Sequence, residues 1–160
     1  MFKGIIAMDD ARTIGKDNDL PWPKQNGDLS FFKEKTWGDN VIFGRKTFQG
    51  LGRTCLPNRK IYVMTNFNPY GWSYSEINFS GGKGETRIIQ HESDLPAEDF
   101  WVCGGKAIYN LFLPKMTECF VTYIKGVFDG NVKMNYFENQ FPYQKEIAQT
   151  ENYRTVWFWK

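Results

Sequence analysis

Histidine is almost missing from this chain, with His91 alone in 160 residues. Multi-histidine metal centres are thereby excluded. Cysteine is scarce too: Cys55, Cys103 and Cys119 are odd in number, far apart and without a C-x-x-C pair, so neither a disulfide framework nor structural zinc is expected. Charges of one sign do not gather in runs. With 20 Lys and Arg against 18 Asp and Glu, the net charge is near +2, which gives nucleic-acid binding no electrostatic support. No apolar run is long enough to span a membrane, and the opening stretch Met1 to Met8 stops at Asp9-Asp10, too short for a signal segment. A cytoplasmic protein without a membrane partner is expected. Repeats and low-complexity linkers are also lacking, and the length suits one domain, 1–160, around one core.

Aromatic residues, by contrast, make up 18% of the chain, which suits a core of large side chains or a pocket for flat ligands. Short β-like runs alternate with glycine turns and a few helical stretches, a pattern that predicts an α/β sandwich with a mostly parallel sheet. Strands are predicted at Ile5 to Met8, Asn40 to Phe43, Lys60 to Thr65, Tyr74 to Phe79, Phe100 to Cys103, Glu118 to Lys125, Tyr153 to Trp159, and over 143–149. Helices are predicted over 27–36 with Asn26 as N-cap, briefly after Gly44-Arg45-Lys46-Thr47-Phe48, and from Lys106 to Leu113, where Pro114 stops it. Asp9 to Lys24, with Gly15, Pro21 and Pro23, reads as a long loop, and loops of that length are often lids.

The helix over 27–36 puts Asp28 and Phe32 on one face, because residues four apart are helical neighbours. Burying an ionised carboxylate without partners costs several kcal/mol. Asp28 is therefore either a solvated first-turn acid facing the helix dipole or a carboxylate held for a polar or cationic ligand, and the residue pattern leaves both readings open. Two other strings are set aside. Asn78-Phe79-Ser80 matches a glycosylation acceptor but lacks the secreted context, and Gly81-Gly82-Lys83-Gly84-Glu85-Thr86 fits neither G-x-G-x-x-G nor the P-loop spacing.

A wider set of neighbours bears on that choice: Ile14-Gly15, Leu20-Pro21-Trp22, Asp28-Leu29 with Phe32-Lys33, Val41-Ile42-Phe43-Gly44-Arg45-Lys46-Thr47-Phe48, Leu56-Pro57-Asn58-Arg59-Lys60, and Val102-Cys103-Gly104-Gly105-Lys106-Ala107-Ile108-Tyr109. In this order and spacing the chain closely resembles dihydrofolate reductase, in register over about residues 1–65 and 100–137. The resemblance implies a single-domain sandwich with a central, mostly parallel eight-stranded sheet, an antiparallel C-terminal strand and helices on both faces. It also implies reduction of 7,8-dihydrofolate by NADPH, which supplies tetrahydrofolate to one-carbon metabolism and thymidylate synthesis, in a monomer open to antifolate inhibitors.

By the same resemblance, Asp28 is the pocket carboxylate for the pterin 2-amino group and N3, Thr122 hydrogen-bonds to it, and Trp22 accompanies a water near the pterin. A buried acid needs such donors to offset its desolvation. Leu20 is the apolar gate, past which solvent reaches N5; a relay starting at Asp28 is the alternative, less suited because the 2-amino edge lies far from N5. Tyr109 lies near both rings. Ile5, Ala7, Leu29, Phe32, Leu51, Leu56 and Cys103 line the substrate slot, with Lys33 beside the glutamate tail and Arg59 gripping its α-carboxylate in a bidentate fork.

For NADPH the resemblance points to Ile6, Ala7, Ile14, Gly15, Met64 and Cys103, and to two helix-opening turns, Gly44-Arg45-Lys46-Thr47 and Gly104-Gly105-Lys106-Ala107-Ile108, whose backbone N–H groups suit pyrophosphate oxygens. Thr65 and Asn66, with Arg45 and Lys46, are the candidates for the adenosine-side phosphates. The chain departs from the family pattern at Leu20, where methionine is common, at Cys103, where an aliphatic residue is usual, and over 66–99, where the helix before the Gly-Gly strand is shortened or lost around Ser93-Asp94-Leu95-Pro96. Two rival readings are a reductase of the same fold acting on another pterin or pyrimidine, and a non-catalytic nucleotide-binding domain. Arg59 with Lys33 argues against the first, and Asp28, Trp22 and the two glycine turns against the second.

Overall fold

The computed structural model describes all residues except 18, 25–28, 51–55 and 67–84. In chain order the elements are β1 (Phe2–Asp9), β2 (Thr13–Gly15), α1 (Leu29–Lys35), β3 (Asn40–Gly44), α2 (Arg45–Gly50), β4 (Lys60–Met64), β5 (Glu85–Ile89), β6 (Phe100–Val102), α3 (Lys106–Phe112), β7 (Met116–Ile124), β8 (Val132–Lys133), β9 (Tyr143–Gln149) and β10 (Tyr153–Trp159). Eight of the strands form one sheet in the order β5-β4-β3-β6-β1-β7-β10-β9. Pairings from β5 across to β7 are parallel, whereas β10 runs antiparallel to both β7 and β9. This is the expected α/β architecture.

The central strands are covered on both faces, which is why Ile5-Ile6, Val41-Ile42-Phe43 and Phe100-Trp101-Val102 read as unbroken apolar runs instead of alternating ones. Alternation still divides them between two clusters. Ile6, Ile42, Phe100, Val102 and Val121 pack on the side of α3 through Ile108, Tyr109 and Phe112. Ile5, Val41, Phe43, Trp101 and Phe120 pack on the other side, with Phe48 of α2 and with Phe31 and Phe32 of α1 against them. Helices therefore lie on both faces. Gly4 lets β1 sit between β6 and β7, since a Cβ there would come within 2.7 Å of both Cys119 Sγ and Met116 Sδ.

Two features differ from the sequence expectation. The predicted strand Tyr74 to Phe79 lies outside the described residues, and the strand next to β4 is Glu85–Ile89, where none is predicted. Asp9 to Lys24 is not all loop: β2 pairs antiparallel with β8, a two-residue strand that leaves almost no periodicity to detect. The stretch before β6 is reduced to a single 3-10 turn, Glu92–Asp94, in keeping with the shortened helix expected there.

The segment leading into β2 is anchored by buried polar contacts. Asp9, 1% exposed, accepts the N–H groups of Ala11 at 3.0 Å and Thr13 at 2.7 Å with one oxygen, and that of Phe128 at 2.8 Å with the other. Arg12, with φ at 64°, turns its guanidinium to Glu138 in two hydrogen bonds of 2.8 and 3.0 Å and to the carbonyls of Met134 and Asn135. Gly130 closes the seam, because a Cβ there would collide with Thr13 Cγ2 and approach the Gly15 carbonyl oxygen to 2.7 Å. Gly130→Ala is expected to lower stability by about 1–3 kcal/mol through overpacking, read as a lower melting temperature.

Candidate functional site

The carboxyl ends of β3, β4 and β5 open together onto a cleft of about 1240 Å³. In an open, mostly parallel sheet this is where ligands bind, outside the strand ends. Ile14 and Gly15 of β2 form one wall; Gly44 ends β3 and Arg45, Lys46 and Thr47 open α2; Met64 ends β4 and Thr65 and Asn66 follow it; Gly105 precedes α3, which Lys106, Ala107 and Ile108 open. All of these were expected at the cofactor from the sequence. Leu20, expected as a gate, lines the same cleft and is 48% exposed.

Of the other residues expected at the cofactor, Ile6 is buried in the cluster under α3, Ala7 lies half-buried on β1, and Cys103 is buried in the opposite cluster. Gly104 sits behind the cleft rather than on it. Its φ of 112° is open to glycine, the peptide joining it to Gly105 is cis, and its carbonyl accepts the Gly44 N–H at 2.7 Å, which ties the two glycine turns together. At Gly105 a Cβ would meet Thr47 Oγ1 at 2.8 Å, so a side chain would block the approach of the two turns.

Sequence reasoning missed Asp17, Asp19, Gln90, His91, Asn131 and Val132, which also line the cleft. Gln90 and His91 follow directly on β5, so recognising that strand would have placed them at its carboxyl end. Asn131 and Val132 reach the cleft only through the pairing of β8 with β2, more than a hundred residues away in sequence.

The expected substrate residues gather on the α1 side of the sheet. Ile5, Leu56 and Cys103 share its buried cluster, and Phe32 packs against it. Thr122 follows Phe120 on the same face of β7, beside Ala7 of β1, with its hydroxyl 3.1 Å from that of Thr155. Leu29 and Lys33 are on α1 but exposed, Leu29 by 44%, so the described residues do not enclose them. Trp22 is 4% exposed and packs edge-on against Phe128. Asp28 and Leu51 lie outside the described residues.

Tyr109 comes up from α3 on the far side of the sheet, and its hydroxyl donates to the Ile5 carbonyl at 2.8 Å. Burial holds that phenol well above its ordinary pKa and likewise pushes the Cys103 thiol up, so both remain protonated at neutral pH. Arg59 is the exceptional group. Only 2% exposed, it donates from Nε to Thr36 Oγ1 at 2.8 Å, from Nη1 to the Pro57 carbonyl at 2.8 Å and from Nη2 to the Lys33 carbonyl at 2.5 Å. All three acceptors are neutral, and no carboxylate pairs with it among the described residues. Burial accordingly lowers its pKa. A buried cation with no counter-ion among the described residues, two of whose five N–H groups meet no acceptor there, is suited to an anionic ligand group.

Behind the cleft, burial alone would raise the Glu138 carboxyl, but hydrogen bonds from Arg12, the Phe137 N–H and the Tyr123 hydroxyl hold it below its ordinary value. A lowered carboxyl stabilises the fold above its unfolded-state pKa, about 4.3 for glutamate, and that contribution is lost as pH falls through the lower folded value. Melting curves at a series of acidic pH values should therefore fall more steeply for the parent chain than for Glu138→Gln.

Over residues 1–157 the chain matches the family model described as Dihydrofolate reductase. It is 38% identical over 136 residues to the dihydrofolate reductase of Bacillus subtilis, covering 82% of this chain and 73% of the relative. The enzyme of Staphylococcus haemolyticus is 35% identical over 127 residues, 79% of this chain and 72% of the relative. Among solved structures, dihydrofolate reductase from Enterococcus faecalis complexed with NADP(H) and RAB-propyl superposes with a TM-score of 0.75, over 98% of this chain and 93% of that one. At 24% identity that likeness speaks for the fold. The sheet order, the paired glycine turns and the match over nearly the whole length lead to one conclusion: the chain belongs to the dihydrofolate reductase family, enzymes that reduce dihydrofolate to tetrahydrofolate with NADPH.

Proposed function

We propose that NADPH occupies the cleft at the strand ends, that dihydrofolate lies on the α1 side of the sheet, and that the two meet beside Ala7 and the Gly104-Gly105 turn. The observation that carries this reading is the convergence of both glycine turns and the Ile14-Gly15 wall on one cleft. Its volume, about 1240 Å³, exceeds what a drug-sized ligand needs and suits a dinucleotide. Bound there, NADPH supplies the hydride that reduces the pterin.

The chain's own residues divide the remaining work. Lys46, Arg45 and Lys106 give the cleft positive charge for phosphates, with Thr47, Thr65 and Asn66 as polar partners, and Gly105 keeps side chains away from the turn. Asp28 holds the pterin by its 2-amino group and N3, supported by the buried Thr122 hydroxyl, and raises the basicity of the ring. The proton for N5 comes from solvent passing Leu20, which is about half exposed at the cleft edge. Trp22 and Tyr109 keep the surroundings of the reacting rings ordered, and the protonated Cys103 thiol adds no charge to the slot.

Arg59 takes the α-carboxylate of the glutamate tail with the N–H groups that no described residue accepts. This arginine favours a glutamate-tailed substrate over a tailless pterin or pyrimidine, and antifolates that carry such a tail use it too. The chain acts as one domain and one monomer in the cytoplasm. Cys103 and Cys119 are buried free thiols, as a reducing compartment allows, and the edge strand β9 presents Lys145 and Glu146, charges that discourage edge-to-edge pairing. Among the described residues no helix is long and apolar enough to cross a membrane.

Purified protein should consume NADPH only when dihydrofolate is added, followed by nicotinamide absorbance. Asp28→Asn should lose roughly two orders of magnitude of that rate near neutral pH. Equal turnover by the variant and the parent would remove Asp28 from the role given to it.

A further inference from the structure

The residues just past α1 converge on Arg59 from two directions. Thr36, buried, donates its hydroxyl proton to the Phe32 carbonyl at 2.8 Å, which leaves its oxygen to accept from Arg59 Nε. With the Pro57 and Lys33 carbonyls this gives the guanidinium three acceptors around its rim. Its Cζ lies over the Trp37 ring, 5.4 Å from the ring centroid. Trp37 itself is 55% exposed, a large aromatic left mostly in water next to an arginine that is 2% exposed.

That pairing has a physical consequence. Hydrogen bonds around the rim hold the guanidinium by its N–H groups but do not by themselves fix its tilt. An aromatic ring facing the cation attracts it through the ring quadrupole and excludes water from that side. A carboxylate meeting the remaining N–H groups then meets a charge that is less screened and already oriented.

We propose that Trp37 is a positioning residue that acts through Arg59, setting the affinity for the glutamate tail of the substrate and taking no part in the hydride step. The inference rests on the reading of Arg59 as the carboxylate clamp and deepens it, because it makes recognition of the tail depend on a side chain that does not itself need to touch the substrate.

The test is steady-state kinetics of the parent enzyme, Trp37→Ala, Trp37→Phe and Arg59→Gln with two substrates, 7,8-dihydrofolate and 7,8-dihydropteroate, which carries the same rings without the glutamate. For Trp37→Ala the KM for dihydrofolate should rise about threefold to tenfold, the size of a partly desolvated cation–π contact, with kcat unchanged and dihydropteroate kinetics unaltered. Trp37→Phe, which keeps a ring over the guanidinium, should return most of the loss. An equal rise in KM on both substrates would mean that α1 had merely been disturbed and would overturn the proposal, as would an unchanged KM for dihydrofolate. Arg59→Gln separates the layers of the argument. If it raises the KM for dihydrofolate alone while Trp37→Ala does not, the clamp stands and the role of Trp37 falls; if it leaves that KM unchanged, the clamp reading fails and the proposal with it.

Discussion

A carboxylate buried at the carboxyl end of the central strand organises the working end of this molecule. Asp9 accepts three backbone N–H groups, two from the segment entering β2 and one from Phe128 in the segment leading to β8. A buried acid is tolerable only when its oxygens are so satisfied. By meeting that need from two distant stretches of chain, Asp9 brings them together beside the sheet. The pairing of Thr13 with Lys133, the tight fit of Gly130 against Thr13 and the Arg12 bonds to Glu138 follow along the same seam. One wall of the cleft at the strand ends is thus built by hydrogen bonds between segments with little regular structure of their own.

The sheet keeps two tasks apart by the simplest property of a strand, its alternation. Ile5 faces the α1 cluster and Ile6 the α3 cluster; Phe120 and Val121 divide in the same way. On the α1 side Arg59 is the one deeply buried cation among the described residues, and its acceptors there are neutral. At the strand ends the cleft is instead open and lined by glycine turns and lysines, suited to a larger, wetter anion. The two glycine turns are joined by the Gly44 to Gly104 hydrogen bond.

Much of this was legible in the residue order. The apolar runs of β1, β3, β4, β6, β7 and β10 fell close to where they were expected, because strands buried on both faces need continuous apolar side chains whatever their neighbours. The glycine turns were legible for a related reason: Gly104 and Gly105 stand where a Cβ would be strained or blocked, and no other residue type fits. What escaped were elements whose existence depends on a partner. β8 is two residues long and β2 three, too short for any period, and each is a strand only because the other is there. β5 was obscured for a different reason, since its run of Thr86 to Ile89 follows a glycine- and serine-rich stretch that reads as loop.

By itself, then, the sequence determined the fold class and the family, because strand burial, glycine geometry and the fixed spacing of family motifs are local requirements written residue by residue. Only the tertiary structure decided that Arg59 would be stripped of water with neutral acceptors and an aromatic ring beside it, that Trp37 would be that ring, and that Asn131 and Val132 would join the cleft at the strand ends. Those outcomes depend on which distant segments come to lie side by side, and burial, pairing and the charge left uncompensated exist only once they do.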